Sequence, residues 1–239
     1  MSLSTPLIAV NGLVKAFGLR PVLRDINFEV ASGAVMGLLG PNGSGKTTLL
    51  RLLSGLSKAT AGTITIGGWS LPDEAAAVRM QIGVVAHLPL LYDDLTAEEN
   101  LRFFARLYNL DNAHSQERVA TMLDRVGLAK RSRELVHTFS RGMQQRLAIA
   151  RAMLHEPAVL LLDEPYTGLD VSGAELLDGL IRDWKVSGRT LIISLHDLQR
   201  ASAISDQIVI LNRGKVAVNS PVAEIDNLPS LFAQVTDSA

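Results

Sequence analysis

Short apolar runs, separated by glycine and polar residues, dominate the hydrophobic pattern of the first third of the chain. Runs that begin at Leu7, Val22 and Ala34 predict β-strands, because they are short and rich in β-branched residues. Similar runs follow at residues 63–66, 82–85, 159–162, 191–195 and 208–211. None of them approaches the roughly 18 to 20 apolar residues that a bilayer span requires. The pattern predicts a buried parallel-sheet core, and a role at a membrane would require a partner.

The middle of the chain shows helical periodicity instead. Thr96 and Glu99 form a capping-box pattern that predicts the start of a helix. A second amphipathic stretch ends at Gly127, and a third runs from Arg141 to about His155. We therefore expect an α/β protein with a helical insertion near residues 88–155.

The amino-acid composition argues against several classes of function. The net charge is −1, without the basic excess that is typical of nucleic-acid-binding proteins, so we expect no nucleic-acid partner. The chain has no cysteine, which excludes disulfides, thiolate zinc sites and cysteine nucleophiles.

A glycine-rich segment, here called the phosphate loop, carries the clearest chemical signal. It comprises Gly40, Pro41, Asn42, Gly43, Ser44, Gly45, Lys46, Thr47 and Thr48. It follows an apolar strand run and precedes a helical one, so its N–H groups and the helix N-terminus can surround phosphate oxygens. We expect Lys46 to neutralise the β- and γ-phosphates and the Thr47 hydroxyl to bind Mg²⁺.

Two adjacent carboxylates follow the strand run 159–162. An acidic pair after a strand is more often a turn or a helix cap, but a phosphate loop in the same chain favours a catalytic interpretation. We expect Asp163 to bind Mg²⁺ and Glu164 to orient and deprotonate the attacking water. His196 directly follows the run 191–195. It should reach the same sheet edge, where its imidazole N–H could bind the γ-phosphate.

Residues 139–146, Phe-Ser-Arg-Gly-Met-Gln-Gln-Arg, resemble the signature motif of ABC ATPases. The order of motifs is also that family's: phosphate loop, helical insertion, signature, acidic strand, the Gly-Leu-Asp of residues 168–170, and a histidine. The resemblance extends from Ile8 to about Pro221.

The resemblance implies one ABC ATPase domain over residues 1–239, with the fold of a P-loop NTPase. Its mixed sheet would form a RecA-like core over about 1–87 and 156–220, with an N-terminal antiparallel β portion. The inserted α-helical subdomain would cover about 88–155, and a tail about 221–239. The implied cofactors are ATP and Mg²⁺.

The resemblance further implies an ATP-dependent, head-to-tail homodimer with two ATP molecules between the subunits. Ser140 and Gly142 of one chain would contact the γ-phosphate bound by the other. Phe17 matches the adenine-stacking aromatic of the family, and the alternative is an ordinary core phenylalanine. The dimer would work on integral membrane transporter subunits, as a peripheral protein on the cytoplasmic side of the cell membrane.

Three positions in two motifs depart from the family pattern. Arg141 and Met143 stand where the signature usually has Gly and Gln, although Ser140 and Gly142 are retained. His87 stands where the family usually has a glutamine. Mg²⁺ prefers oxygen ligands, so we do not expect His87 to bind the metal directly.

Residues 87–89, 95–101 and 140–146 resemble the ATPases assigned to haem export in cytochrome c maturation. The alternative is another exporter ATPase of the same branch, for drugs, polysaccharide or lipid. A non-transport ABC protein would share these motifs, but such proteins usually carry two cassettes or a long coiled coil. A nucleotide kinase would share only the phosphate loop.

Overall fold

The computed structural model describes residues 7–237, and ten β-strands within this range form two sheets. The strands are β1 Ile8–Phe17, β2 Arg20–Val30, β3 Val35–Leu39, β4 Ala61–Ile66, β5 Trp69–Leu71, β6 Ile82–Val85, β7 Val159–Leu162, β8 Thr190–Ser194, β9 Gln207–Asn212 and β10 Lys215–Pro221. The helices are α1 Lys46–Leu53, α2 Ala75–Gln81, α3 Ala97–Leu107, α4 Asn112–Arg125, α5 Arg141–Met153, α6 Val171–Val186, α7 Leu198–Ile204 and α8 Leu228–Asp237.

One sheet is antiparallel and the other is mixed. The antiparallel sheet has the order β2-β1-β4-β5, and the larger sheet has the order β10-β9-β3-β8-β7-β6. In the larger sheet β9, β3, β8, β7 and β6 run parallel, while β10 pairs antiparallel to β9 at one edge. This is the expected α/β fold: a mixed-sheet core, an N-terminal antiparallel portion and inserted helices.

The central strands are apolar because both faces of the large sheet are covered. Every residue of β3, β7 and β8 is buried. Successive side chains point to opposite faces, so Met36 and Leu38 pack in the cluster shared with β1 and α1. Val35 and Leu39 pack in the other cluster, with residues of α3, α4, α5 and α6.

The helices α3, α4 and α5 lie between β6 and β7 in the chain. The capping box at α3 is confirmed: Thr96 Oγ1 accepts from the Glu99 N–H at 3.2 Å, and Glu99 Oε2 accepts from the Thr96 N–H at 2.8 Å. Helix α5 begins at Arg141 as expected and ends at Met153, two residues before the expected end. The residue bounds predicted for the core, the helical subdomain and the tail remain a prediction.

Several elements were not predicted from the pattern, among them β5, β10, α2, α6, α7 and α8. The first helix ends at Leu53, and Gly55 has a φ of +69° just beyond it. Within residues 7–237, no helix combines the length and apolar character needed to cross a membrane.

Candidate functional site

The phosphate loop joins β3 to α1 and needs glycine where the backbone packs tightly. Gly40 has a φ of +145°, and a Cβ there would lie 2.2 Å from the Leu211 carbonyl oxygen. Gly45 has a φ of +111°, and a Cβ there would lie 2.5 Å from the side chain of Leu23. Gly45 is also the N-cap of α1 and offers no side-chain cap, so the first N–H groups of the helix remain available to an anion.

A cleft of about 300 Å³ lies over this loop. Its lining residues are Val22, Asn42, Gly43, Ser44, Gly45, Lys46, Thr47, Thr48 and Glu164. The fold therefore brings most of the predicted phosphate loop together with the predicted base. The other two predicted loop residues, Gly40 and Pro41, do not line the cleft, and their carbonyl oxygens accept hydrogen bonds from Lys46.

Lys46 is buried beneath the cleft. Its Nζ donates to the carbonyl oxygens of Gly40 at 2.7 Å and Pro41 at 3.3 Å. Burial lowers the pKa of the ammonium group, while the negative charges of Glu164 and Asp163 act in the opposite direction. An anionic ligand in the cleft would favour the charged form of Lys46 further.

The acidic pair follows β7, with Asp163 buried and Glu164 partly exposed. Ser194 Oγ donates to Asp163 Oδ1 at 2.8 Å and accepts from the Glu164 backbone N–H at 2.8 Å. Glu164 has a φ of +51°, in the left-handed region that non-glycine residues rarely adopt. Strand β8 therefore holds the Asp163 carboxylate and the Glu164 backbone through one hydroxyl group.

Two imidazoles flank the Glu164 carboxylate. His196 Nε2 lies 2.6 Å from Glu164 Oε1, and His87 Nδ1 lies 3.8 Å from Glu164 Oε2. Both histidine side chains are about half exposed, at 51% and 54%, whereas that of Glu164 is 21% exposed. The sequence placed His196 at this sheet edge, but it did not reveal that both histidines lie beside Glu164.

A second cleft of about 200 Å³ adjoins Glu164 and His196 on the side of α7. Here the Tyr166 hydroxyl donates to Asp178 Oδ1 at 2.6 Å, and the Arg200 guanidinium lies 4.3 Å from the Tyr166 ring centre. Burial raises the pKa of the Tyr166 hydroxyl, and its hydrogen bond to Asp178 adds to that effect. Sequence reasoning missed Ser194, Tyr166 and Arg200. The only signal for Ser194 was a hydroxyl in an otherwise apolar strand run.

The signature residues begin α5 and are not among those that line the phosphate cleft. Ser140 is the exposed N-cap, and its Oγ accepts from the Met143 N–H at 3.2 Å. A Cβ on Gly142 would lie 2.9 Å from the Gly168 carbonyl oxygen, so glycine lets α5 approach residues 168–170 closely. Contact between Ser140 or Gly142 and a partner's nucleotide remains a prediction.

Phe17 ends β1 with a largely exposed side chain, 58% accessible to solvent. The Lys15 Nζ lies 4.7 Å from its ring centre and donates to the Lys58 carbonyl at 2.7 Å. The alternative of a core phenylalanine is therefore wrong. Adenine stacking on Phe17 remains a prediction, and Phe17 is not among the residues lining the phosphate cleft.

Comparison with known proteins identifies the family. A family model described as "ABC transporter" matches residues 23–167. Nod factor export ATP-binding protein I of Ralstonia nicotianae is 37% identical over 219 residues, which cover 91% of this chain and 68% of that protein. The linearmycin resistance ATP-binding protein LnrL of Bacillus subtilis is 34% identical, covering 88% of this chain and 68% of that protein.

A solved structure extends the similarity to three dimensions. It is a dimeric ATP-binding cassette in a post-hydrolysis state, bound to ADP and Pi. It matches with a TM-score of 0.83 and 27% identity, covering 90% of this chain and 98% of that one. Together with the phosphate cleft and the acidic edge beside it, these similarities show that the chain belongs to the ABC transporter family, as an ATP-binding subunit with ATPase activity.

Proposed function

We propose that the chain powers export through a separate membrane subunit by hydrolysing ATP in a head-to-tail homodimer. The position of Glu164 supports ATP hydrolysis by this chain most directly. It lines the phosphate cleft together with Lys46 and Thr47, and its carboxylate is hydrogen bonded to His196. A carboxylate held at the edge of a phosphate site is suited to orient an attacking water and accept its proton.

The remaining roles in the site follow from the chemistry of each side chain. Lys46 and the N–H groups of residues 40–48 would bind the β- and γ-phosphates. The Asp163 carboxylate and the Thr47 hydroxyl fit Mg²⁺, since both provide the oxygen ligands that this ion prefers. When bound, Mg²⁺ supplies charge neutralisation to the phosphates. His196 would orient Glu164 and reach the γ-phosphate, and Phe17 would stack on adenine.

The cargo is proposed only as a class. The two relatives described above are named for Nod factor export and for resistance to linearmycin. These names favour an exporter of the drug, polysaccharide or lipid type over haem export in cytochrome c maturation, which neither of them mentions. Cargo selection would belong to the membrane subunit, and this chain would act as a peripheral protein on the cytoplasmic side of the membrane.

Replacement of the proposed base tests the chemistry. Glu164→Gln should bind ATP with nearly the parent affinity, while hydrolysis falls by about 100-fold or more, because a neutral amide cannot accept the proton. Lys46→Ala should lose both binding and hydrolysis. Glu134→Gln is a suitable control, since its carboxylate is on the surface in an ion pair with Arg131, and it should hydrolyse at the parent rate. Hydrolysis by Glu164→Gln at the parent rate would rule out Glu164 as the base.

The transport role is tested by purifying the tagged chain from native membranes. We expect an integral membrane protein to co-purify, and its sequence would narrow the cargo. Recovery of the chain with DNA-repair or translation components instead would favour a non-transport ABC protein.

A further inference from the structure

Ser194 is the last residue of β8 and has a fully buried side chain beside the acidic pair. Its hydroxyl donates to Asp163 Oδ1 and accepts from the Glu164 N–H, both at 2.8 Å. A hydroxyl carries one proton, so donation to the carboxylate leaves its lone pairs to accept from the backbone. One atom therefore joins the side chain of the first acidic residue to the main chain of the second.

The second bond falls where the backbone is strained. Glu164 is in the left-handed region with a φ of +51°, which is unfavourable for a non-glycine residue and persists only where the surrounding structure holds it. The hydrogen bond from the Glu164 N–H to Ser194 provides such support at the residue itself. Because φ and ψ of Glu164 direct its side chain, this bond also bears on where the carboxylate points.

A residue just after β8 contacts the side chain of Glu164. His196 follows Ser194 by two residues, and its Nε2 lies 2.6 Å from Glu164 Oε1. The segment 194–196, at and just beyond the end of β8, thus contacts the backbone of Glu164 through Ser194 and its carboxylate through His196. A shift of this strand end would move both contacts together.

We propose that Ser194 is a positioning residue for ATP hydrolysis, which sets the Asp163 carboxylate and the Glu164 carboxylate in a fixed relation. The inference rests on the roles of Asp163 and Glu164 in the proposed function. Ser194 does not touch the phosphates in this scheme. It acts by fixing the group that holds the metal and the group that activates water.

The test compares removal of two buried hydroxyls on one strand. Ser194→Ala removes the proposed positioning group. Thr190→Val is the matched control, because Thr190 is also fully buried in β8 and its Oγ1 accepts from the Gly33 N–H at 2.8 Å, at the opposite end of the strand. We expect Ser194→Ala to lower kcat by about 10- to 100-fold with little change in KM for ATP, since small misplacements of catalytic groups have effects of this size. Thr190→Val should keep the parent kcat.

Metal binding gives a readout independent of turnover. Mn²⁺ binding is measured by electron paramagnetic resonance, with a saturating non-hydrolysable ATP analogue. Loss of a group that orients a metal ligand commonly weakens metal binding by about 10- to 100-fold. We expect weakening of this order in Ser194→Ala and none in Thr190→Val. Should Ser194→Ala not fold, Ser194→Cys takes its place, because it has a similar shape and only a weak donor.

Glu164→Gln separates the two claims. If Glu164→Gln is inactive while Ser194→Ala matches Thr190→Val in both kcat and Mn²⁺ affinity, the role of Ser194 is overturned and the proposed base stands. If Glu164→Gln hydrolyses ATP at the parent rate, the underlying assignment of the site has failed instead.

Discussion

Glu164 is contacted by three residues from two separate segments of the chain, two of them at or just after the end of β8 and one in the loop after β6. Ser194 binds its backbone N–H, His196 contacts Oε1, and His87 lies 3.8 Å from Oε2. His196, which lies two residues after the end of β8, is closer to the Glu164 carboxylate than His87 is. This arrangement orients the carboxylate through neighbours that lie far apart in sequence, so it depends on the fold rather than on the local motif.

His87 provides a prediction about the proposed base. Its Nδ1 lies 3.8 Å from Glu164 Oε2, so its side chain can influence how that carboxylate is oriented. Because His87 lies beside the proposed base, His87→Gln should change kcat for ATP hydrolysis. Both proteins retain His196, so the difference between the two rates reports His87. Equal rates, measured with the membrane partner present, would show that His87 does not act on hydrolysis.

His155 provides a prediction about stability. Its ring stacks on Tyr108 at 3.7 Å, and its Nε2 lies 3.0 Å from the Ile82 carbonyl, so Nε2 carries the proton of the neutral ring. Its Nδ1 is buried, with no hydrogen-bond partner among the described residues. Burial lowers the pKa of His155, and the hydrogen bond to Ile82 opposes this effect.

The sign of the pH effect follows from that lowered pKa. As pH falls below about 6.5, the unfolded chain takes up a proton at this residue that the folded chain resists, so stability decreases. We expect the free energy of unfolding in urea to fall between about pH 7.5 and pH 5.5. His155→Phe keeps the ring stacking and should reduce that fall, whereas His114→Phe, at an exposed position, should not. An equal pH dependence in the parent and His155→Phe would contradict the assignment.

Site residues that belong to a recognisable motif could be predicted from the sequence. The residues that contact and orient them could not. The phosphate loop and the acidic pair carry functional groups that few other contexts require at that spacing. Ser194, Tyr166 and Arg200 are ordinary residue types, and their contacts exist only once β7, β8 and α7 lie side by side. The pairing of His87 with Glu164 was missed for the same reason.

At the scale of elements, α5 connects the signature to the rest of the site. Its first residue follows the N-cap Ser140, and Gln145 Nε2 donates to the Pro165 carbonyl, directly after the acidic pair. Farther along, Arg151 donates to the carbonyl oxygens of Val84, Pro89 and Leu90 at 2.7–3.0 Å. One helix therefore contacts both the segment after Glu164 and the loop that carries His87.

Replacement of Arg151 tests how much its hydrogen bonds contribute to the free energy of unfolding. The guanidinium is buried among backbone carbonyls and lies 5.1 Å from the Phe104 ring centre. Arg151→Met should lower the free energy of unfolding by about 2–4 kcal/mol, because it removes three hydrogen bonds made by a buried, charged guanidinium. Arg102→Met removes a surface ion pair with Glu98 and should cost less than about 1 kcal/mol. Equal losses in urea denaturation would contradict the proposed contribution of Arg151.

Helices and strands with a regular hydrophobic pattern could be predicted from the sequence. Those whose hydrophobic pattern is interrupted or weak could not. The capped helix α3 and the buried strands β6 and β7 match their predicted positions. Helix α6 does have apolar residues at helical spacing, Leu177, Leu180, Ile181 and Trp184, but glycines at positions 173 and 179 interrupt the pattern. Strand β10 is at a sheet edge with no fully buried residue, so tertiary pairing rather than hydrophobicity defines it.

At the scale of the whole molecule, each chain would supply half of two composite ATP sites. The phosphate cleft belongs to one chain, and the exposed start of α5 at Ser140 is available to the other. A related cassette is dimeric in a post-hydrolysis state bound to ADP and Pi, which supports such an arrangement. Because the nucleotide would form part of the interface, the dimer should depend on ATP.

Light scattering on the Glu164→Gln protein, with and without Mg-ATP, tests this account most directly. Without nucleotide the mass should be that of the 25.7 kDa chain, and with Mg-ATP it should double, since binding persists while hydrolysis is blocked. Adding Ser140→Arg should abolish the doubling and preserve ATP binding, because the larger cation would obstruct the partner's nucleotide. Adding Ser230→Arg, at an exposed position on α8, should leave the doubling intact. A mass that is the same with and without Mg-ATP in Glu164→Gln would contradict the ATP-dependent dimer.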